Sequence, residues 1–295
     1  MKPTLGFIGL GNMGMPMCRR LIDQGYTVFL YDVNPASLVP FAGTSAQASP
    51  SLLHLAGHAE IILLSLPNST VVEQVILGEQ GLRAGLSAGQ VIIDLSSSRP
   101  SSTQQLAAAL AGLHVHLLDA PVSGGVPRAR EGTLAILVGG EREVFEQQMP
   151  LLQIFGGQIF YMGGHGTGHL TKALNNLLSA TSLASAIEAV LVGRRYGLDA
   201  SMFIAAVNAS TGRSASTEVK FPRFILPETF DDGFALGLMN KDVHIALEAA
   251  AEMDIPMLLG SCVGEIWQAA EDQGLGKAGH TTLYTFLKDR IDQQE

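Results

Sequence analysis

Lys172, Asn175 and Asn176 stand together near the start of a long apolar stretch, Gly163–Gly197. Residues three or four apart on a helix share one face, so this spacing aims an ammonium and a carboxamide at the same spot. An amine can give a proton to a carbonyl oxygen or take one from an alcohol. A neutral amide beside it can orient a substrate without pinning the amine in its charged form. A free lysine titrates near 10.4, so one that serves as a base at neutrality needs burial or a nearby cation to bring it down. Lys172 is therefore the candidate catalytic group. A second cluster, Ser123, Gly124 and Gly125, follows an apolar run. Its consecutive N–H groups, unshielded by side chains, make an anion-binding nest suited to a substrate carboxylate.

A third cluster is Gly9-Leu10-Gly11-Asn12-Met13-Gly14, a GxGxxG between the apolar Leu5–Gly9 and a helical pattern running to Gln24. Gly9 permits a tight turn, Gly11 lets a pyrophosphate approach the backbone, and Gly14 lets helix and strand pack closely. The helix start then offers free N–H groups and a positive dipole end to the phosphates. Asp32 ends the next apolar run, eighteen residues after Gly14. That is where a dinucleotide fold puts the carboxylate that accepts the ribose hydroxyls. From Leu21 through Leu82 there is no Lys or Arg. A 2′-phosphate there would meet Asp32 without a local cation, so NAD is expected over NADP.

The elements that must position these groups alternate. Ile61–Ser65, Val91–Asp94 and Leu117–Ala120 read as buried strands, each stopping at a polar or glycine-bearing turn. Such turns line one cleft in a doubly wound sheet. From the Gly163–Gly197 stretch onward the pattern is helical, with no good strand. The expected fold is α/β: an N-terminal Rossmann-type doubly wound sheet (residues 1–164) plus an all-α C-terminal domain (165–295) that begins with a long linking helix packed on most sides. Pro222, Pro227 and Pro256 are expected to punctuate its connections.

Composition narrows the function. The chain is 47% hydrophobic and 15% charged, with a net charge of −9. That is a well-buried globular protein without a basic stripe for nucleic acid. Cys18 and Cys262 lie far apart and are read as buried thiols in a reducing compartment. The apolar run at the N-terminus is strand-length and broken by glycines, and the long apolar stretch is interrupted by Lys172, two Asn and Glu188. A cytoplasmic protein with no membrane segment is expected. His54/His58 and His165/His169 recur at helical spacing and His114/His116 at strand spacing, but none brings a third ligand, so no metal is expected. His169 is read as a solvated surface residue.

Five blocks, in order, carry a resemblance: GFIGLGNMGMPM (6–17), DLSSSRP (94–100), DAPVSGG (119–125), GHGTGHLTKALNN (164–176) and FALGLMNKD (234–242). With them the chain resembles the 3-hydroxyacid (β-hydroxyacid) dehydrogenase family over nearly its whole length. That family includes 3-hydroxyisobutyrate dehydrogenase, tartronate semialdehyde (2-hydroxy-3-oxopropionate) reductase and, more distantly, 6-phosphogluconate dehydrogenase. The resemblance implies Lys172 as general acid/base, Asn176 as its substrate-orienting partner, and Ser123, Gly124 and Gly125 as the carboxylate site. It also implies NAD contacts by Leu66, Pro67 and Ser97, a cofactor-site lysine at Lys241, and a homodimer or homotetramer. Ser97 replaces the family's usual threonine and keeps the hydroxyl. The segment Ser210–Phe224 departs from the Gly-Asn-Trp form of 3-hydroxyisobutyrate enzymes, which leaves the choice of hydroxy acid open. The alternatives are a catalytically silent NAD-binding protein and an oxidative decarboxylase of the 6-phosphogluconate kind.

Overall fold

The computed structural model describes residues 2–292; expectations that touch residue 1 or residues 293–295 lie outside it. The chain divides between Lys172 and Ala173 into two compact units, each with its own apolar core.

The first unit begins with β1 (Leu5–Ile8), α1 (Gly14–Asp23), β2 (Val28–Tyr31), β3 (Gln47–Ala48) and α2 (Leu52–Ala56). It continues through β4 (Ile61–Leu64), α3 (Ser69–Leu77), β5 (Val91–Asp94), α4 (Pro100–Ala111) and β6 (His116–Asp119). It closes with β7 (Val122–Ser123), α5 (Gly125–Glu131), β8 (Leu134–Gly139), α6 (Arg142–Leu152) and β9 (Gly156–Gly163). Strands β3-β2-β1-β4-β5-β6 are parallel neighbours in that order. The chain steps outward from β1 to β3 and returns to the other side of β1 to lay down β4. The order therefore reverses between β1 and β4, where the connections diverge and open a crevice. β8 then runs antiparallel to β6 and β7, and β9 pairs parallel with β8.

Register decides where the chemistry collects. Ile8 pairs with Tyr31 and Leu64, Leu64 with Asp94, and Asp94 with Asp119, so five strands end in one transverse row. The turns that follow all leave from one edge. Side chains alternate along each strand: Phe7, Leu63 and Ile93 pack in one cluster, while Ile8, Ile62 and Ile92 pack in another. Burial on both faces is why these strands read as unbroken apolar runs.

The helix α7 (Thr167–Tyr196) starts in the first unit and continues into the second, which adds α8 (Ala200–Asn208), α9 (Leu236–Glu252), α10 (Leu258–Asp272) and α11 (Leu283–Asp292). Its buried stripe, Ala173, Leu177, Ala180, Leu183, Ala184, Ile187 and Val190, recurs every three or four residues and joins Trp267, Phe221 and Phe286 in the core. By length and composition α7 would suffice to cross a membrane, but 44% of its most apolar window is buried inside the protein. The expectation of packing on most sides is corrected on the outer face, where Leu178 is 72% and Val192 70% exposed.

Other expectations change in detail. Pro222 lies inside a π-helical segment, Ser216–Ile225, instead of between elements. Cys18 is buried but Cys262 is exposed on α10. His114 does not share a strand face with His116; it precedes β6 with a left-handed φ of 55°. His58 and His165 likewise lie outside helices, beyond the end of α2 and before α7. Among the described residues, no group of three or more His, Cys, Asp or Glu is arranged to hold a metal.

Candidate active site

The glycine turn after β1 has the shape a pyrophosphate needs. Gly9 holds φ +91°, and a Cβ there would come 2.2 Å from the Ser65 carbonyl oxygen. A Cβ at Gly14 would strike the Gly9 carbonyl at 1.9 Å. These two glycines let strand and helix touch. Gly11 differs: nothing lies within 4 Å of where its Cβ would be, so its missing side chain leaves open space. No side chain caps the start of α1; the Met15 N–H bonds the Gly11 carbonyl at 3.0 Å, and the positive end of the helix dipole lies at this turn. Leu10 buries its side chain and offers only its backbone, whereas Asn12 is exposed and Met13 half-buried. Asp32 supports the turn directly. Its Oδ2 accepts the Leu10 N–H at 2.7 Å and its Oδ1 the Asn34 N–H at 2.8 Å. Each oxygen keeps a further lone pair, enough to take a ribose hydroxyl. Arg19, just ahead of the cation-free window, donates to the Pro40 carbonyl at 2.6 Å and lies over the Phe41 ring. The residues present therefore fit a dinucleotide.

The next two turns of the row are built from small hydroxyl side chains. Leu66 donates its N–H to Ser96 Oγ at 2.9 Å, which joins the β4 and β5 turns. Asp94 receives the Ser96 N–H and the Ser98 hydroxyl, each at 3.0 Å. Ser96 and Ser98 are thus buried and hold the turn, while Ser97 between them is half-buried and Pro67 is exposed. Ser123 is half-buried at the end of β7, with Gly124 and Gly125 exposed at φ +133° and +72°. A Cβ at Gly124 would meet the Arg128 side chain at 2.5 Å.

At the far end of the row a carboxylate takes charge of α7. Asp119 is 0% exposed, and its oxygens accept the N–H groups of Gly166 at 2.8 Å and His169 at 3.0 Å. This satisfies two donors at the helix start and sets a negative charge at the positive dipole end. Burial pushes the Asp119 carboxyl up from its ordinary value, against His169 and the two N–H bonds, which pull it down. His169 is not the solvated residue expected. It is 1% exposed, with Nδ1 2.8 Å from Thr103 Oγ1 and Nε2 3.7 Å from Asp94 Oδ2. Gly168 makes this docking possible, since a Cβ there would fall 2.2 Å from the Leu137 carbonyl oxygen.

Lys172 is one turn beyond His169 and 8% exposed; Asn176 is one turn further and 5% exposed. Polar groups of this kind are rarely buried unless they are paired. Asn176 Nδ2 donates to Asp242 Oδ2 at 2.6 Å, and its Oδ1 accepts from Asn175 at 3.2 Å. Lys241 Nζ lies 3.5 Å from the other Asp242 oxygen. Asp94, Asp119, His169 and Asp242 are absent from the candidates drawn from sequence. Asp94 and Asp119 open blocks already singled out, Asp242 closes one and His169 lies inside one; an Asp closing a strand was the available signal for Asp94 and Asp119.

Comparison with known proteins agrees with this architecture. Residues 4–163 match the family model described as the NAD binding domain of 6-phosphogluconate dehydrogenase. Residues 166–287 match the model for the NAD-binding domain of NADP-dependent 3-hydroxyisobutyrate dehydrogenase. The chain is 38% identical over 273 residues to 2-(hydroxymethyl)glutarate dehydrogenase of Eubacterium barkeri, covering 92% of this chain and 91% of that protein. It is 34% identical to 3-hydroxyisobutyrate dehydrogenase of Pseudomonas aeruginosa, with 95% and 98% covered. Among solved structures, 3-hydroxyisobutyrate dehydrogenase of Mycobacterium tuberculosis with L-serine superposes with a TM-score of 0.89 at 27% identity, covering 98% and 100% of the two chains. Two matched models that together span nearly the whole chain, and relatives above 30% identity over more than nine-tenths of their length, establish that this protein belongs to the 3-hydroxyacid dehydrogenase family of NAD(P)-dependent oxidoreductases.

Proposed function

We propose that the protein interconverts a small 3-hydroxy acid and its semialdehyde, with Lys172 exchanging the proton and NAD preferred to NADP. The observation that carries this reading is the burial of Lys172 and Asn176 one turn apart on α7, just past the buried Asp119–His169 anchor. Bound NAD supplies the hydride acceptor for the carbinol carbon. Lys172 takes the hydroxyl proton in oxidation and returns it to the carbonyl oxygen in reduction. Asn176, held by Asp242, orients the substrate hydroxyl, and the Ser123, Gly124 and Gly125 turn receives the substrate carboxylate through its N–H groups. Gly9 through Gly14, Asp32, Leu66, Pro67, Ser97 and Lys241 serve the cofactor. In this reading residues 1–164 bind the dinucleotide, and residues 165–295 form the substrate and oligomerisation domain of a soluble, cytoplasmic homodimer or homotetramer.

Both substrates named for the relatives, 3-hydroxyisobutyrate and 2-(hydroxymethyl)glutarate, are 3-hydroxy acids. The test is NADH absorbance with a panel of such acids, run with NAD and NADP in parallel. Lys172→Ala is expected to lower kcat by about 10²- to 10⁴-fold while NAD affinity stays within about twofold. A silent NAD-binding protein would oxidise none of the panel, and an oxidative decarboxylase would release carbon dioxide in step with NADH.

A further inference from the structure

The second unit holds a half-buried cation that the proposed reaction leaves unused. Lys220 lies in the π-helical segment Ser216–Ile225, and its Nζ donates to Ser179 Oγ on α7 at 3.0 Å. Burial brings its ammonium down to about 8, with Asp232 pulling upward; it is therefore mostly charged at neutral pH. Asp232 does not pair with it at contact distance, because that carboxylate is already committed. Its Oδ1 accepts from His280 Nδ1 at 2.6 Å and the Phe234 N–H at 3.1 Å. Its Oδ2 accepts the N–H and the hydroxyl of Thr281. Lys220 thus keeps two ammonium donors beyond its neutral serine partner. A cation partly withdrawn from water on those terms, and still open on one side, suits a complementary anion.

Its position indicates what that is. Ser179 follows Asn176 by three residues, so the two are neighbours on one face of α7, displaced by roughly 4.5 Å along the helix axis. We propose that Lys220 and Ser179 receive a second carboxylate of the substrate, so that dicarboxylic 3-hydroxy acids are preferred to monocarboxylic ones. This rests on Asn176 facing the substrate in the proposed reaction. A lone ammonium and a hydroxyl match one carboxylate. A phosphate would call for clustered cations, but Arg213 is 63% exposed and 3.6 Å from Glu218, and Arg223 is exposed.

The experiment compares 2-(hydroxymethyl)glutarate with 2-(hydroxymethyl)pentanoate, which has a similar reach and one charge fewer, at pH 7 with NAD. The wild-type protein is expected to favour the dicarboxylate by about 10- to 100-fold in kcat/KM, mainly through KM. Lys220→Met should bring that ratio to within about threefold of unity, and Lys220→Arg should retain part of it. An unchanged ratio in Lys220→Met overturns the proposal. So does a loss shared equally by both substrates with a lower Tm, the mark of a structural lysine. Glutarate and butyrate are also compared as thermal stabilisers of the NAD complex, which separates this idea from the reaction itself. If no hydroxy acid is oxidised, the proposed reaction fails. The subsite then stands only if glutarate stabilises the wild type more than butyrate does, and Lys220→Met abolishes the difference.

Discussion

The His169 backbone amide donates to Asp119 Oδ2 at 3.0 Å, while the Gly166 amide donates to the other oxygen at 2.8 Å. One buried carboxylate at the end of β6 thereby fixes the first turn of α7, and with it the backbone that carries Lys172. Asp119→Asn keeps the shape but turns an NH₂ toward one of those N–H donors and removes the charge at the helix start. A loss of about 2–3 kcal/mol in unfolding free energy is expected, measured by urea denaturation. kcat should fall with little change in NAD affinity, since the glycine turn is elsewhere in the row. Wild-type stability in Asp119→Asn would refute the anchoring role.

This anchor also marks the limit of what sequence made legible. The glycine turn, the strand ends and the helical second half could be read because periodicity and turn chemistry are local signals. Asp119 and His169 are fifty residues apart, and nothing in their neighbourhoods announces a shared hydrogen bond. His169 looked like a surface residue because a lone histidine on a helix usually is. Its burial follows from Gly168, whose bare backbone lets α7 settle against the Leu137 carbonyl. The π-helical turn around Pro222 was hidden for a similar reason, because proline signals a break whatever width of helix accommodates it.

The three glycines of the β1 turn should respond differently to a single added methyl. At Gly14 it would fall 1.9 Å from the Gly9 carbonyl oxygen, so Gly14→Ala is expected to lose several kcal/mol, of the order of 3. Gly11 has no neighbour within 4 Å, so Gly11→Ala should melt within about 2 °C of wild type. That same methyl would occupy the open space where the pyrophosphate is proposed to lie. Its Kd for NAD, followed by fluorescence titration, should rise by about 10-fold or more. Normal NAD affinity in a well-folded Gly11→Ala would remove the phosphate from this turn.

Asp32 braces the turn, and in the proposed reading it also sets the choice of cofactor. It accepts the Leu10 N–H at 2.7 Å and keeps lone pairs for the ribose proposed to bind there. Asp32→Ser keeps a small acceptor for the Leu10 N–H but removes the charge that repels a 2′-phosphate. The NAD:NADP ratio of kcat/KM should fall by about 10- to 100-fold, through weaker NAD binding and relieved NADP repulsion. A ratio that stays constant while both values drop together would reduce Asp32 to a structural brace.

Asp232 sets an acid limit on the second unit. Burial alone would raise its carboxyl, but hydrogen bonds from His280 and Thr281 outweigh that and bring it down to about 2, from an ordinary value of 3.8. A carboxyl held below its unfolded value contributes stability at every pH above that unfolded value, and the contribution disappears as pH falls through the folded one. The window is therefore roughly pH 4 to 2. Asp232→Asn should melt below wild type at pH 7, where the charged bonds tying the loop that carries Asp232 to His280 and Thr281 are intact. The gap in Tm should stay level down to about pH 4 and then narrow, because the wild-type carboxyl is itself becoming neutral. Measured by scanning calorimetry from pH 7 to 2, a gap that keeps its size to the bottom of that range would mean that shape at position 232, and not charge, is what the fold requires.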